Sequence, residues 1–208
     1  MSKYEFMKMI ELEECKDRIV YRLISKVRNY EYLKNTPSEE YLDLAVVFYI
    51  ICHIDENGIE SIKIDDRFFK GWGVSTGELM ELAKVNTPKL FPVRLESMSN
   101  TLSKLLGSDD ELPEDPGMMV LSNSSNIFGA TSVLYETSVD DIVGHFGENF
   151  YMIPSSVHEL IFVPEGIIAN KAILDDTIKQ INESTVLDEE ILSDRSYYYS
   201  RQDKRFYF

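Results

Sequence analysis

The sequence predicts an α+β fold: a mixed, mainly antiparallel sheet with several helices packed on it, in a single domain over residues 1–208. Three observations predict it. Apolar residues make up 44% of the chain, which is enough for a sizeable core. Strand-like stretches come in adjacent pairs joined by turn residues, as in antiparallel hairpins. Helix-like stretches lie between these pairs, which is the arrangement of α+β proteins.

The first third of the chain predicts a helix followed by a hairpin. Apolar residues recur at helical spacing from Phe6 onward, and residues 19–24 fit either a continuation of this helix or a strand. Residues 42–54 are rich in β-branched and aromatic side chains, so they predict a central strand buried on both faces. The turn at residues 55–58 carries an Asn-Gly hairpin signal, and residues 59–64 return as the partner strand.

Two helices are predicted next. Ser75 and Glu78 form a Ser-x-x-Glu capping box, which opens a helix that we expect to end before Pro88. A second helix is expected from Val93 to Leu106. A polar, proline-bearing acidic loop then follows at residues 108–117, and we interpret it as internal to the domain.

The second half predicts two further hairpins and two helices. Its elements are expected as a hairpin of residues 118–122 and 129–135, a short helix from Ser138, strands at 150–153 and 160–163, a helix at 168–182 and a closing hairpin at 197–208. Tyr197, Tyr198 and Tyr199 alternate across the last hairpin, so one face would be buried and the other available for contact.

Negative charge is the most unusual feature of the composition. The formal net charge is −15, and no Lys or Arg occurs between Lys104 and Lys171. Such a field repels nucleic acid and anionic membranes and attracts a basic protein surface, although solubility alone also explains it. The candidate acidic face within this interval consists of Asp109, Asp110, Glu111, Glu114, Asp115, Glu136, Asp140 and Asp141.

Several classes of protein find no support in the sequence. The longest apolar run has nine residues, against about 20 for a membrane-spanning helix. The two cysteines, Cys15 and Cys52, match no CxxC or disulfide pattern, which favours a cytoplasmic location. Neither a metal-ligand spacing nor a phosphate-binding glycine motif is present, so we predict no metal and no cofactor. The oligomeric state is left open.

The candidate binding residues lie in two short segments. One is Pro154-Ser155-Ser156-Val157-His158-Glu159, where a hydroxyl, an imidazole and a carboxylate are close in sequence. No GxSxG elbow surrounds either serine, and Ser156 with Glu159 also fits a helix start or a turn. The other segment is the polar loop from Asn123 to Asn126, which could bind a ligand or be an ordinary loop that uses Asn at positive φ.

The order of several stretches resembles a known family. These stretches are Ile19–Ile24, Leu42–Tyr49, the Trp72–Thr87 helix, Gly129-Ala130, Ile153–Glu159 and Leu192-Ser193-Asp194 before the tyrosines. They are similar to a family from clostridia and related Firmicutes catalogued as domain of unknown function 5688. The resemblance implies a bacterial cytosolic protein, often in mobile-element neighbourhoods. It implies no activity, substrate or catalytic residue.

The sequence therefore favours a non-catalytic acidic module that binds a basic protein surface. Two alternatives stay open. One is a nucleic-acid mimic that inhibits a DNA-handling protein, and the other is a hydrolase-like enzyme that uses Ser155 or Ser156 with His158 and Glu159.

Overall fold

The computed structural model describes residues 10–56, 58–107 and 117–208. Its α+β architecture confirms the predicted fold class, and the strand pairs of the described residues are antiparallel. The chain divides into two compact units, Met1–Leu90 (unit 1) and Phe91–Phe208 (unit 2). That both units form one domain stays a prediction. The acidic loop, the start of the N-terminal helix and Asn57 of the hairpin turn lie outside the described residues.

Unit 1 contains a four-stranded sheet and four helices among the described residues. In chain order its elements are α1 (Leu12–Cys15), a 3-10 turn (Lys16–Arg18), β1 (Ile19–Ser25), α2 (Tyr30–Leu33), β2 (Ser38–Tyr41), β3 (Leu44–Asp55), β4 (Gly58–Lys63), α3 (Asp66–Trp72) and α4 (Thr76–Leu90). The ambiguous stretch Ile19–Ile24 is therefore a strand. It pairs with β3, where Ile19 faces Ile50 and Ser25 faces Leu44.

Strand β3 is the central strand that the sequence predicts. Its first eight residues are buried, and its backbone is paired on both edges, with β1 along one edge and β2 and then β4 along the other. The last four are exposed where the strand enters the hairpin with β4. The β-branched run therefore supplies the core of unit 1.

Helix α4 begins as predicted and ends later than predicted. Ser75 N donates to Glu78 Oε2 at 2.8 Å and Glu78 N donates to Ser75 Oγ at 3.2 Å, which completes the capping box. The helix runs through Pro88 to Leu90, so the expected end before Pro88 is wrong. Proline removes one helical hydrogen bond, but tertiary contacts can hold the turn. Asn86 Nδ2 donates to the carbonyls of Lys16 and Ile19.

Unit 2 contains a six-stranded sheet with the strand order β10-β9-β7-β8-β6-β5. Its elements are β5 (Val93–Ser97), α5 (Met98–Leu106), β6 (Met119–Asn123), a 3-10 helix (Gly129–Leu134), α6 (Ser138–Phe146), β7 (Phe150–Ser156), β8 (Glu159–Pro164), a 3-10 turn (Glu165–Ile167), α7 (Lys171–Thr185), a 3-10 turn (Asp188–Glu190), β9 (Tyr197–Ser200) and β10 (Arg205–Tyr207).

Two predicted stretches of unit 2 are wrong, although Met98–Leu106 of the helix expected from Val93 is helical. Val93–Ser97 is a strand rather than the first turns of a helix, because Ser97 is the N-cap and accepts a hydrogen bond from Asn100 N. Gly129–Leu134 is a 3-10 helix rather than the second strand of a hairpin. Strand β6 already pairs with β5 and β8, so neither of its edges is free for another strand.

The alternation along β7, β9 and β10 separates two aromatic rows. Phe150 stacks on Tyr199 at 4.7 Å between ring centroids, and Phe206 lies 5.0 Å from Tyr199. This row belongs to the core, and Phe146 of α6 packs against it. The other row consists of Tyr151, Tyr198 and Tyr207. These side chains point to the opposite face, because successive residues of a strand alternate between the two faces.

Candidate functional site

The Pro154–Glu159 segment forms the hairpin between β7 and β8. Ser156 pairs with Glu159 across a turn that consists of Val157 and His158. Ser156 Oγ accepts a hydrogen bond from His158 N at 3.0 Å, and Ser155 Oγ donates to Glu159 Oε1 at 3.4 Å. Of the two interpretations of Ser156 and Glu159, the turn is confirmed and the helix start is wrong, because both residues flank a tight turn between strands.

The imidazole ring of His158 uses both of its nitrogens within the structure. Nδ1 accepts a hydrogen bond from Phe128 N at 3.2 Å, and Nε2 lies 3.2 Å from Glu190 Oε1. A nitrogen that accepts an N–H bond carries no proton, so the hydrogen-bond network assigns the proton to Nε2, which donates to Glu190. Among the described residues, no serine hydroxyl is hydrogen-bonded to this ring.

Backbone contacts tie the same turn to three neighbouring segments. Ser122 Oγ of β6 donates to His158 O at 2.8 Å. Ala130 N donates to Val157 O at 3.2 Å, and Val157 N donates to Glu190 O at 2.8 Å. We call Ser122, Phe128, Val157, His158 and Glu190 the His158 clasp. It joins β6, the 3-10 helix, the β7–β8 turn and the segment after α7.

Gly129 lies at the closest approach within this region. A Cβ atom on its backbone would lie 2.1 Å from Ser122 Oγ, 2.5 Å from His158 O and 2.7 Å from Asn123 N. Two of these atoms belong to the backbone and cannot rotate away. The Gly129-Ala130 pair therefore has a packing reason: only a residue without a side chain fits between β6 and the β7–β8 turn.

The Asn123–Asn126 loop lies next to the His158 clasp. Asn123 is buried, and its Oδ1 accepts hydrogen bonds from Ser125 N at 3.1 Å and Ser125 Oγ at 2.9 Å. Its Nδ2 donates to Ile127 O at 2.9 Å. Asn126 is exposed and has a φ of 56°, which fits the expected use of Asn in the left-handed region. The loop stabilises itself and leads into Phe128.

The candidate acidic residues divide into two sets. Asp109, Asp110, Glu111, Glu114 and Asp115 lie outside the described residues. Glu136, Asp140 and Asp141 are exposed around the first turn of α6. None of these three has an ion-pair partner in the part of the chain that the structure describes. Carboxylates near a helix N-terminus also stabilise the helix dipole, so they have a local structural role as well.

The clasp includes residues that the sequence did not indicate. Glu190 lies 32 positions from His158 along the chain, and Ser122 lies 36 positions away. No local motif connects such positions, because the pairing depends on the sheet order and on the path of the chain after α7. For the approach of Phe128 to this turn, the only sequence signal was Gly129, which follows Phe128 directly.

In residues 10–56, 58–107 and 117–208, no group of three or more His, Cys, Asp or Glu side chains is arranged to hold a metal ion. Over the same residues, every helix is too short or too polar to cross a bilayer.

Comparison with known proteins gives a family but no activity. A family model described as a family of unknown function, DUF5688, matches residues 1–201. The chain belongs to the DUF5688 family. The resemblance seen in the sequence is thereby confirmed for nearly the whole chain, while the clostridial source stays an expectation. No curated protein and no solved structure matches the chain.

Proposed function

We propose that this DUF5688 chain is a non-catalytic module that binds a basic protein surface through the acidic part of unit 2. The observation that carries the proposal is the division of charge between the units. Phe91–Phe208 contains 20 Asp and Glu against eight Lys and Arg, whereas Met1–Leu90 contains 16 against 13. A strongly net-negative field of this kind accelerates encounter with a partner of opposite charge.

The His158 clasp supports the non-catalytic part of the proposal. A general base needs a free nitrogen within hydrogen-bond reach of the proton that it removes. Phe128 N occupies Nδ1 of His158, and the proton on Nε2 is directed to Glu190. Ser155 and Ser156 bond to Glu159 and His158 N instead. The geometry therefore gives the hydrolase alternative no support.

Glu136, Asp140 and Asp141 supply the described part of the proposed binding surface. They are exposed, and within the described residues no cation compensates them. A basic surface that approaches them meets uncompensated carboxylates, which steer association more than they add affinity. Nucleic-acid mimicry is a special case of this proposal, in which the basic partner is a DNA-handling protein.

The test is a binding titration with a lysine homopeptide of nine residues (nona-lysine) at low salt. Replacing three carboxylates together (Glu136→Gln, Asp140→Asn and Asp141→Asn) is expected to weaken binding by about threefold to tenfold, since each exposed pair contributes little alone. The dissociation constant can be measured by calorimetry.

The matched control removes three exposed carboxylates from unit 1 by Asp17→Asn, Glu56→Gln and Glu60→Gln. It changes the net charge equally, so its effect on the affinity should be smaller than that of the unit 2 triple variant. Equal weakening by both triple variants would mean that net charge alone attracts the peptide. Absence of any binding by the wild-type chain would contradict the proposed function itself.

A further inference from the structure

A cleft on the second face of the unit 2 sheet has an aromatic floor. Three tyrosines lie directly opposite one another on adjacent strands: Tyr151 of β7 faces Tyr198 of β9, and Tyr198 faces Tyr207 of β10. All three are half-buried, whereas their neighbours Phe150 and Tyr199 belong to the core. The open cleft has a volume of about 380 Å³, and Glu165, Lys171 and Phe208 complete its lining.

The cleft is long as well as aromatic. Tyr151 and Tyr207 are separated by two inter-strand spacings, or about 10 Å. The rings of Tyr151 and Tyr198 lie 5.2 Å apart at an angle of 57°, so they form a corner rather than a flat stack. Such a surface presents the negative faces of aromatic rings over a distance that exceeds the length of one small ligand.

We call the end of the cleft at Tyr151 and Tyr198 the inner end and the end at Tyr207 the outer end. Glu165 makes the inner end negative. Its Oε1 accepts a hydrogen bond from Tyr198 Oη at 3.1 Å, and its Oε2 accepts one from Asn149 Nδ2 at 2.9 Å. These donors are neutral, and no cation pairs with Glu165 among the residues that the structure describes. Burial, followed by the charge of Glu165, raises the pKa of Tyr151. Burial, followed by the hydrogen bond to Glu165 and then its charge, raises the pKa of Tyr198, and both shifts agree with a negative potential here.

The cations near the cleft are already compensated. Lys171 Nζ donates to Asp175 Oδ2 at 2.7 Å. At the outer end, the guanidinium of Arg205 lies 4.6 Å from the centre of the Tyr207 ring, and its Nε donates to Tyr207 Oη at 2.7 Å. Tyr207 Oη in turn donates to Asp203. Tyr207 therefore already contacts a guanidinium. Glu165 has no ion-pair partner among the described residues, because Lys171, the cation that lines the cleft, is paired with Asp175.

We propose that the inner end of this cleft binds the guanidinium group of an arginine in a basic polypeptide segment. A planar guanidinium stacks on aromatic rings and bonds a carboxylate through two N–H groups, which an ammonium does not. Each oxygen of Glu165 accepts one bond and keeps a second lone pair for such a fork. The length of the tyrosine row favours a polypeptide over a small organic cation. This site does not include the acidic residues of α6.

The experiment compares two peptides of equal length, nona-arginine and nona-citrulline, by calorimetry at one salt concentration. Citrulline keeps the shape of arginine and lacks its charge. The wild-type chain should bind nona-arginine more tightly. Glu165→Gln should weaken nona-arginine binding by about threefold or more, and Tyr198→Leu by a similar factor. Tyr198→Phe keeps the ring and should retain most of the affinity.

The control is Glu183→Gln, an exposed position on α7 that changes the net charge by the same amount. It should change the affinity less than twofold. Equal weakening by Glu165→Gln and Glu183→Gln would overturn the cleft site and leave the acidic module standing. Equal binding of nona-citrulline would show that the cleft takes neutral ligands and would also overturn it. Circular dichroism of each variant establishes that it is folded.

Discussion

At the scale of single residues, Gly129 fixes how closely the 3-10 helix approaches β6. A side chain at this position would meet Asn123 N and His158 O, which belong to the backbone. We therefore predict that Gly129→Ala lowers the free energy of unfolding by about 1–3 kcal/mol or more, because the surrounding strands must shift. Urea denaturation followed by circular dichroism measures this change.

Gly144 provides the matched control for this prediction. It lies within α6 of the same unit, and a Cβ atom there would meet nothing within 4 Å. Gly144→Ala should leave stability unchanged or raise it by about 0.5–1 kcal/mol, since alanine favours a helix over glycine. If Gly129→Ala proved as mild as Gly144→Ala, the close packing around Gly129 would be wrong.

His158 is the residue whose role the structure defines most sharply. The clasp predicts that Nε2 carries the proton, and a long-range ¹H–¹⁵N spectrum of the imidazole reports this tautomer directly. His158→Ala should lower the free energy of unfolding by about 1–3 kcal/mol, because Phe128 N and Glu190 lose their partner. A ring protonated at Nδ1 would contradict the assignment.

The control for His158 is His145, which is exposed on α6. Removing its ring should change stability by no more than about 0.5 kcal/mol, as is usual for surface positions. A large loss of stability in His145→Ala, together with a small one in His158→Ala, would reverse the structural roles that we assign to the two histidines.

At the scale of elements, Asp175 joins helix α7 to the start of β9. Its Oδ1 accepts hydrogen bonds from Ser196 N at 2.7 Å and Ser196 Oγ at 2.6 Å, while Oδ2 accepts one from Lys171. Burial opposes ionisation of Asp175, but the bonds from Lys171 and Ser196 prevail and lower its pKa. The ionised carboxylate is therefore the form that stabilises the fold.

The sign of the resulting pH dependence follows from this lowered pKa. The contribution of Asp175 is complete above the ordinary aspartate pKa of about 3.9 and is lost as the pH falls through the lower folded value. At pH 7, Asp175→Asn should cost about 1–2 kcal/mol. The neighbouring exposed Asp176→Asn should cost less, and the difference between the two variants should shrink in acid. A difference that stayed constant down to pH 2 would contradict the assignment.

The elements also show what the sequence could and could not predict. Strand β3 and the capping box of α4 were predictable because their signals are local: a β-branched run and a Ser-x-x-Glu pair. The 3-10 helix at Gly129–Leu134 was not, because its apolar composition also fits a strand. What excludes the strand is the occupation of both edges of β6, which depends on residues far away in the chain.

For the candidate sites too, local patterns were predictable from the sequence and contacts between distant residues were not. Alternation along Tyr197–Tyr199 predicted one buried and one accessible face, and the structure has Tyr197 and Tyr199 buried with Tyr198 half-buried. That Tyr198 lies between Tyr151 and Tyr207 required the strand register. Likewise, the sequence placed Ser156, His158 and Glu159 together, but only the fold shows that Phe128 and Glu190 hold the ring.

At the scale of the whole molecule, the unequal division of charge between the units is the basis of the proposed function. Unit 2 contains the interval between Lys104 and Lys171, which has no basic residue. The carboxylates of this interval that the structure describes include Glu136, Asp140 and Asp141 on α6 and Glu165 in the tyrosine cleft. A basic polypeptide is therefore the partner that we propose for both surfaces.

The salt dependence of nona-lysine binding is the decisive test of the proposed electrostatic binding. Exposed charges are screened over a Debye length that falls from about 10 Å at 0.1 M salt to about 3 Å at 1 M. Electrostatic binding predicts that the affinity of the wild-type chain for nona-lysine falls by about tenfold or more between 0.05 M and 0.3 M sodium chloride. An affinity that does not change over this range would contradict it.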